Sequence, residues 1–111
     1  MSRGGLGELE HQTMLALLHL RDDAYTAPIV EELESRTGRD TTVAAVYIVL
    51  RRLEEKGWVE SELRDPGPEG GRDRRYFAVT EDGIARLRRA REAYAALWDG
   101  LEATLGTGKG A

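Results

Sequence analysis

Between Arg64 and Arg75 the chain reads Arg-Asp-Pro-Gly-Pro-Glu-Gly-Gly-Arg-Asp-Arg-Arg, and the prolines and glycines of that span forbid helix or strand across it. Whatever lies on each side must fold as separate pieces meeting at a flexible tip. Before it, Trp58-Val59-Glu60-Ser61-Glu62-Leu63 partly alternates apolar and polar residues. After it, Tyr76-Phe77-Ala78-Val79 is aromatic and β-branched. These runs read as the two strands of one hairpin.

Upstream of the hairpin the apolar residues recur at helical spacing. Leu6, Leu9, Thr13 through its methyl, Ala16, Leu17 and Leu20 mark one amphipathic helix, widened by Met14, Leu15 and Leu18. A helix apolar on more than one side needs more than one neighbour. Arg21-Asp22-Asp23 reads as a turn. Thr26 is placed to cap a second helix, in whose first turn Pro28 forfeits no intrahelical bond. Ile29, Val30 and Leu33 form its buried stripe, and Gly38 supplies its left-handed end. Beyond Arg39-Asp40, Thr41 or Thr42 caps a third helix that reaches Lys56 and is closed by Gly57, with Val43, Val46, Tyr47, Leu50 and Leu53 on its core face. Two helices joined by a turn around Gly38 fit a helix-turn-helix pair. Three helices and a long-looped hairpin give the winged helix-turn-helix plan, a mainly α fold over residues 1–80.

Thr80 caps a last helix, favoured at its start by Glu81 and Asp82. Ile84, Leu87, Ala90 or Arg91, Tyr94, Leu97 or Trp98, Leu101 and Leu105 follow at alternating three- and four-residue steps, a near-heptad seam. Running from Glu81 to Leu105 it would be about 38 Å long, more than the globule can cover. Its far half needs another chain, so residues 81–105 read as a dimerisation helix. Residues 106–111 are Gly-rich and read as a disordered tail.

Composition narrows the function. No cysteine is present, which removes disulfides, thiolate nucleophiles and zinc-ribbon or iron-sulfur chemistry, and makes the cytoplasm the expected compartment. No apolar run is long enough to span a membrane. His11 and His19 lie eight apart, unsuited to joint chelation, and read as surface residues. Asp22-Asp23 lacks the other ligands of a calcium loop, and neither glycine cluster continues into a phosphate loop. No metal, cofactor or catalytic site is expected. The net charge is −4, yet residues 1–35 carry two Arg against seven acids while residues 36–91 carry thirteen basic groups against ten acids. Local fields decide contact, because salt screens charges beyond about 8–10 Å.

Taken together, Leu6-Gly7-Glu8-Leu9-Glu10, Asp23-Ala24-Tyr25, Ile29-Val30-Glu31-Glu32-Leu33, the block from Ala44 through Val46-Tyr47 and Arg51-Arg52-Leu53-Glu54-Glu55-Lys56-Gly57-Trp58-Val59, and Gly70-Gly71-Arg72 through Tyr76 to Thr80-Glu81-Asp82-Gly83 resemble the PadR-type transcriptional regulators, in the smaller branch without a large C-terminal domain. The resemblance implies a homodimeric DNA-binding repressor whose dimer is made by the first and last helices. It also implies a DNA-backbone contact at Tyr47, for which a half-buried core tyrosine is the other reading. Some relatives bind flat aromatic or phenolic molecules between protomers. Met14, Leu18, Tyr94 and Trp98 are then candidates for a pocket for a small aromatic inducer, with Leu101 beside them in the dimer seam; plain dimer packing is the alternative.

The residues themselves suggest how double-stranded DNA would be met. Thr41, Ala44, Ala45, Ile48, Arg51 and Arg52 lie opposite the core stripe of the third helix. Hydroxyls of Thr41 and Thr42 could meet phosphate, Ala45 or Ile48 could touch thymine methyls, and Arg51 and Arg52 could reach phosphates. In the wing, Arg72, Arg74 and Arg75 sit on a mouldable loop, with Arg74 and Arg75 pointing to opposite sides once the strand begins. A symmetric pair of such helices calls for an inverted-repeat operator. A protein-interaction module and an RNA-binding winged helix are the competing readings.

Overall fold

The computed structural model describes residues 5–68 and 70–106. Helix α1 spans Glu8–Leu20, a 3-10 turn Arg21–Asp23, α2 Thr26–Thr37, α3 Val43–Glu55, β1 Val59–Arg64, β2 Arg74–Val79, α4 Glu81–Trp98 and α5 Glu102–Leu105. The fold is mainly helical with one antiparallel two-stranded sheet, the arrangement of a winged helix. The order of the first four residues, and all of the tail after Gly106, lie outside the described residues.

Local chemistry explains most boundaries. Gly7 has no side chain to cap α1, so the Glu10 carboxylate reaches back and accepts the Gly7 N–H at 2.8 Å. Gly38 ends α2 with φ 73°. The Thr42 hydroxyl accepts the Ala45 N–H at 3.1 Å, which selects Thr42 over Thr41 as the cap of α3. Thr26 is not a cap: it is the first residue of α2, and Tyr25 precedes it in extended backbone without a side-chain bond. The Thr80 oxygen accepts the Gly83 N–H at 3.0 Å and its hydroxyl donates to the Gly57 carbonyl at 2.8 Å, tying the start of α4 to the end of α3.

One core lies between α1, α2, α3 and the inner face of the hairpin. It includes Met14, Leu17, Ile29, Leu33, Val46, Leu50, Leu53, Trp58, Val59, Phe77 and Leu87. On α3 the buried stripe is Val46, Val49, Leu50 and Leu53. Val43 and Tyr47, expected in it, are exposed. Val43 sits at the uncovered first turn, and Val49 takes the inward place at the i+3 step from Val46. Helix α4 starts hard against this body: a Cβ on Gly83 would fall 2.2 Å from the Trp58 carbonyl oxygen and 2.6 Å from Val79 Cγ1.

The last helix is shorter than its seam suggests. It stops at Trp98, Asp99 leaves the helical region with ψ 128°, and Gly100 takes φ 85°. Glycine inside a helix costs about 1 kcal/mol relative to alanine. Every residue from Arg91 to Leu105 is exposed, so no packing offsets that cost. A single helix over residues 81–105 is therefore replaced by α4, a Gly turn and the four-residue α5.

Candidate nucleic-acid interface

Helix α3 turns an uncovered face outward from its cap to its last turn. Thr42, Val43, Ala44, Tyr47, Ile48, Arg51 and Arg52 are exposed, and Thr41 and Ala45 are half-buried. Ile48, a β-branched aliphatic, is 57% exposed. Tyr47 is 41% exposed, and its ring meets Phe77 edge-on at 6.4 Å.

The strand register divides the wing arginines between two faces. Leu63 pairs with Arg75 and Ser61 with Phe77, so Leu63, Ser61, Arg75 and Phe77 share the face turned to α3. There Arg75 donates to Ser61 Oγ at 3.0 Å, the Ser61 hydroxyl donates to Glu54 Oε2 at 2.7 Å, and Arg51 donates to Glu54 Oε1 at 2.9 Å. This polar chain links the recognition-helix candidate to the wing. Arg74 lies on the other face, its guanidinium 4.5 Å from the Tyr25 ring centre, beside Arg64 at 4.3 Å from the Tyr76 ring, with Tyr25 and Tyr76 edge-on at 5.3 Å. Arg64 also donates to the Asp22 carbonyl at 3.1 Å, and the Phe77 N–H bonds the Ala24 carbonyl at 2.9 Å, so the wing is moored to the turn between α1 and α2. Arg72 is exposed at the loop.

Sequence reading missed Glu54, Ser61 and the Tyr25–Tyr76 pair. The hairpin register could have found Ser61, because it stands opposite the obviously inward Phe77. Nothing local singles out Tyr25, whose partners Arg74 and Tyr76 are about 50 residues away.

A second feature lies between α1 and α4. A groove of about 640 Å³ is walled by His11, Leu15 and Leu18 on one side and Leu87, Arg88, Arg91, Tyr94 and Trp98 on the other. Leu18, Tyr94 and Trp98 share its wall. Met14 does not: its side chain is wholly buried in the core, one helical step away from this wall. Leu101 sits past the Gly100 break and is absent from the wall. His11, expected at the surface, is half-buried and stacks on Tyr94 with ring centres 6.2 Å apart. Burial first, and the Arg86 charge second, lower its pKa, so the ring is neutral at pH 7. Among the described residues no group of His, Asp and Glu could hold a metal ion, and no helix is long and apolar enough to cross a membrane.

A model of the transcriptional regulator PadR-like family matches residues 14–89. Among solved structures, the chain is similar to a PadR family transcription regulator from hypervirulent Clostridium difficile R20291, at 21% identity and TM-score 0.75 over 90% of this chain and 100% of that one. It is also similar to a PadR family transcriptional regulator from Eggerthella lenta DSM 2243, at 32% identity and TM-score 0.66 over 86% of this chain and 81% of the other. No curated protein matches.

Proposed function

Because the chain belongs to the transcriptional regulator PadR-like family, and is thereby a DNA-binding regulator rather than an enzyme, we propose that it is a homodimeric repressor which occupies an inverted-repeat operator in the cytoplasm and is released by a small aromatic inducer. The observation that carries this reading is the bare face of α3, lined by small and aliphatic residues and flanked by Arg51 and Arg75. Small side chains at Ala44 and Ala45 let the helix approach the floor of the major groove, where Ala45 and Ile48 meet thymine methyls. The Thr42 hydroxyl accepts Ala45 N–H but keeps its own proton for a phosphate, as do the first-turn amides. Tyr47 and Arg51 take the backbone on the wing side. Arg52, exposed in the last turns of α3, reaches a neighbouring phosphate.

Arg72 and Arg75 follow the backbone outward from the wing, and Arg74 stiffens it from behind through Tyr25. Residues up to 80 read DNA, while α4 and α5 join two copies. The exposed Tyr94, Leu97, Trp98 and Leu101 support the dimer, since large apolar groups in a row along a helix end mark a contact surface. The groove between Leu18 and Trp98 is where an aromatic inducer fits.

Fluorescence anisotropy with an operator fragment selected from genomic DNA, against excess nonspecific duplex and against RNA, tests the reading. Arg72→Gln with Arg75→Gln should weaken binding to every duplex and lower the slope of log affinity against log salt by about 2, one for each phosphate contact. An unchanged slope sinks the wing assignment. Equal affinity for RNA, or no duplex binding by the parent chain, sinks the regulator model.

A further inference from the structure

Helix α1 carries charged groups that grip both ends of α3, and no DNA reading uses them. In the turn that leads from α2 into α3, three residues before the α3 cap, Arg39 donates from Nε to Gln12 Oε1 at 2.7 Å and from a terminal nitrogen to Glu8 Oε1 at 2.8 Å. Glu8 and Gln12 are one turn apart, so a planar guanidinium spans them with its donors directed along the helix. At the far end, Lys56 is the residue that follows the last turn of α3. Its ammonium donates to Glu10 at 2.9 and 3.1 Å and to the Gly5 carbonyl at 3.1 Å, which uses all three of its protons. The Glu10 carboxylate is buried, and its third partner is the Gly7 N–H.

We infer that Glu10–Lys56 and Glu8/Gln12–Arg39 form a two-point clamp by which α1 sets the tilt of α3 against DNA, making Lys56 and Arg39 positioning residues for operator recognition. The inference rests on the proposal that α3 reads DNA. Its physical basis is the difference between apolar and ionic contacts. The Val46, Leu50 and Leu53 stripe buries α3 firmly, but hydrophobic contact is non-directional and tolerates small rotations of the helix about its own packing. A buried ion pair whose ammonium has all three protons committed has one good geometry, and its contribution is to register rather than to net stability. One grip holds the C-cap of the thirteen-residue helix and the other the turn that feeds its N-terminus, so together they bracket it and have leverage over its direction. Base readout demands positions good to about half an ångström, whereas phosphate attraction does not.

The consequence is selective loss. In the full-length chain, Glu10→Gln combined with Lys56→Met replaces the pair by uncharged groups of similar size, so no lone charge is left buried. This variant should bind nonspecific duplex with the parent's affinity and salt slope, while its preference for the selected operator falls about tenfold. Because that site is buried, a surface variant stands beside it: Glu8→Ala with Gln12→Ala frees Arg39 without removing it. Here the added net positive charge should strengthen nonspecific binding slightly, and operator preference should fall about threefold.

Anisotropy titrations of operator and nonspecific fragments at three salt concentrations read both quantities, with thermal unfolding to confirm that each variant is folded. An unchanged operator preference in the folded surface variant overturns the clamp alone. A parallel loss on both duplexes with a smaller salt slope also overturns it, since Lys56 would then be a phosphate contact. A parent chain that shows no operator preference overturns the DNA reading, and the clamp falls with it.

Discussion

The two halves of α4 differ in what they bury. Gly83, Leu87 and Ala90 pack against Trp58 and the body of the winged helix, whereas Tyr94, Leu97 and Trp98 stand 56%, 70% and 56% exposed. The same helix is therefore structural for its first ten residues and leaves its large apolar side chains uncovered for the rest. The lesson is that stability and assembly are separable in this chain, because the core closes without help from anything beyond Ala90. Apolar burial of about 25 cal/mol per Å2 acts in the first half within the chain, and in the second half it would act mainly in the dimer proposed above.

The sharpest way to break this contrast is to empty one site in each half. Leu50→Ala, which removes a wholly buried side chain, should cost about 2–5 kcal/mol of unfolding free energy in urea titrations. Trp98→Ala, although it deletes a larger group, should change the unfolding of the dilute monomer by about 0.5 kcal/mol or less. Comparable losses from the two would mean that the end of α4 is part of the fold.

Assembly should respond in the opposite order. With Tyr94 and Trp98 both changed to Ala, the dimer dissociation constant should rise by about three orders of magnitude or more, since aromatic anchors at an interface are worth about 2 kcal/mol or more each. Sedimentation velocity across protein concentration measures it. A dimer untouched by the double variant would move the contact surface elsewhere.

What could be read from the sequence follows the same divide. Helix and strand placement in the packed half was legible because caps, glycines and periodicity agree there: Thr42, Thr80 and Gly38 all do what their types suggest. The seam beyond Tyr94 was misleading. Leu101 and Leu105 keep the heptad spacing, but periodicity is blind to Gly100, whose helix-breaking tendency prevails where no neighbour packs. On α3 the outward Ala45, Ile48 and Arg51 were found from the 100° step, while Val43 and Tyr47 were misplaced because an apolar residue does not reveal whether a partner covers it. Glu54, Ser61 and Tyr25 matter through partners brought near by the hairpin and by the turn after α1, and such long-range pairing leaves no local trace.

The smallest effect concerns pH and sharpens the contrast from the packed side. Burial would raise the Glu10 pKa, but the Gly7 N–H, the hydrogen bond and charge of Lys56, and the charge of Arg52 outweigh it, and the carboxyl titrates below its ordinary value of 4.5. The unfolded chain therefore takes up this proton first as the solution is acidified. Stabilisation from Glu10 is complete above pH 4.5 and drains away as pH falls below that value toward the lower folded pKa. In urea titrations from about pH 7 to 3.5 the parent should lose stability more steeply than Glu10→Gln at the acid end, and the two curves should draw together there. The gap between them should be the same in a background carrying Tyr94→Ala and Trp98→Ala, because the pair sits between α1 and α3 and owes nothing to the apolar end of α4. A gap that closes in that background would show that the ion pair is held in place by the second copy, and would join the two halves that the burial pattern separates.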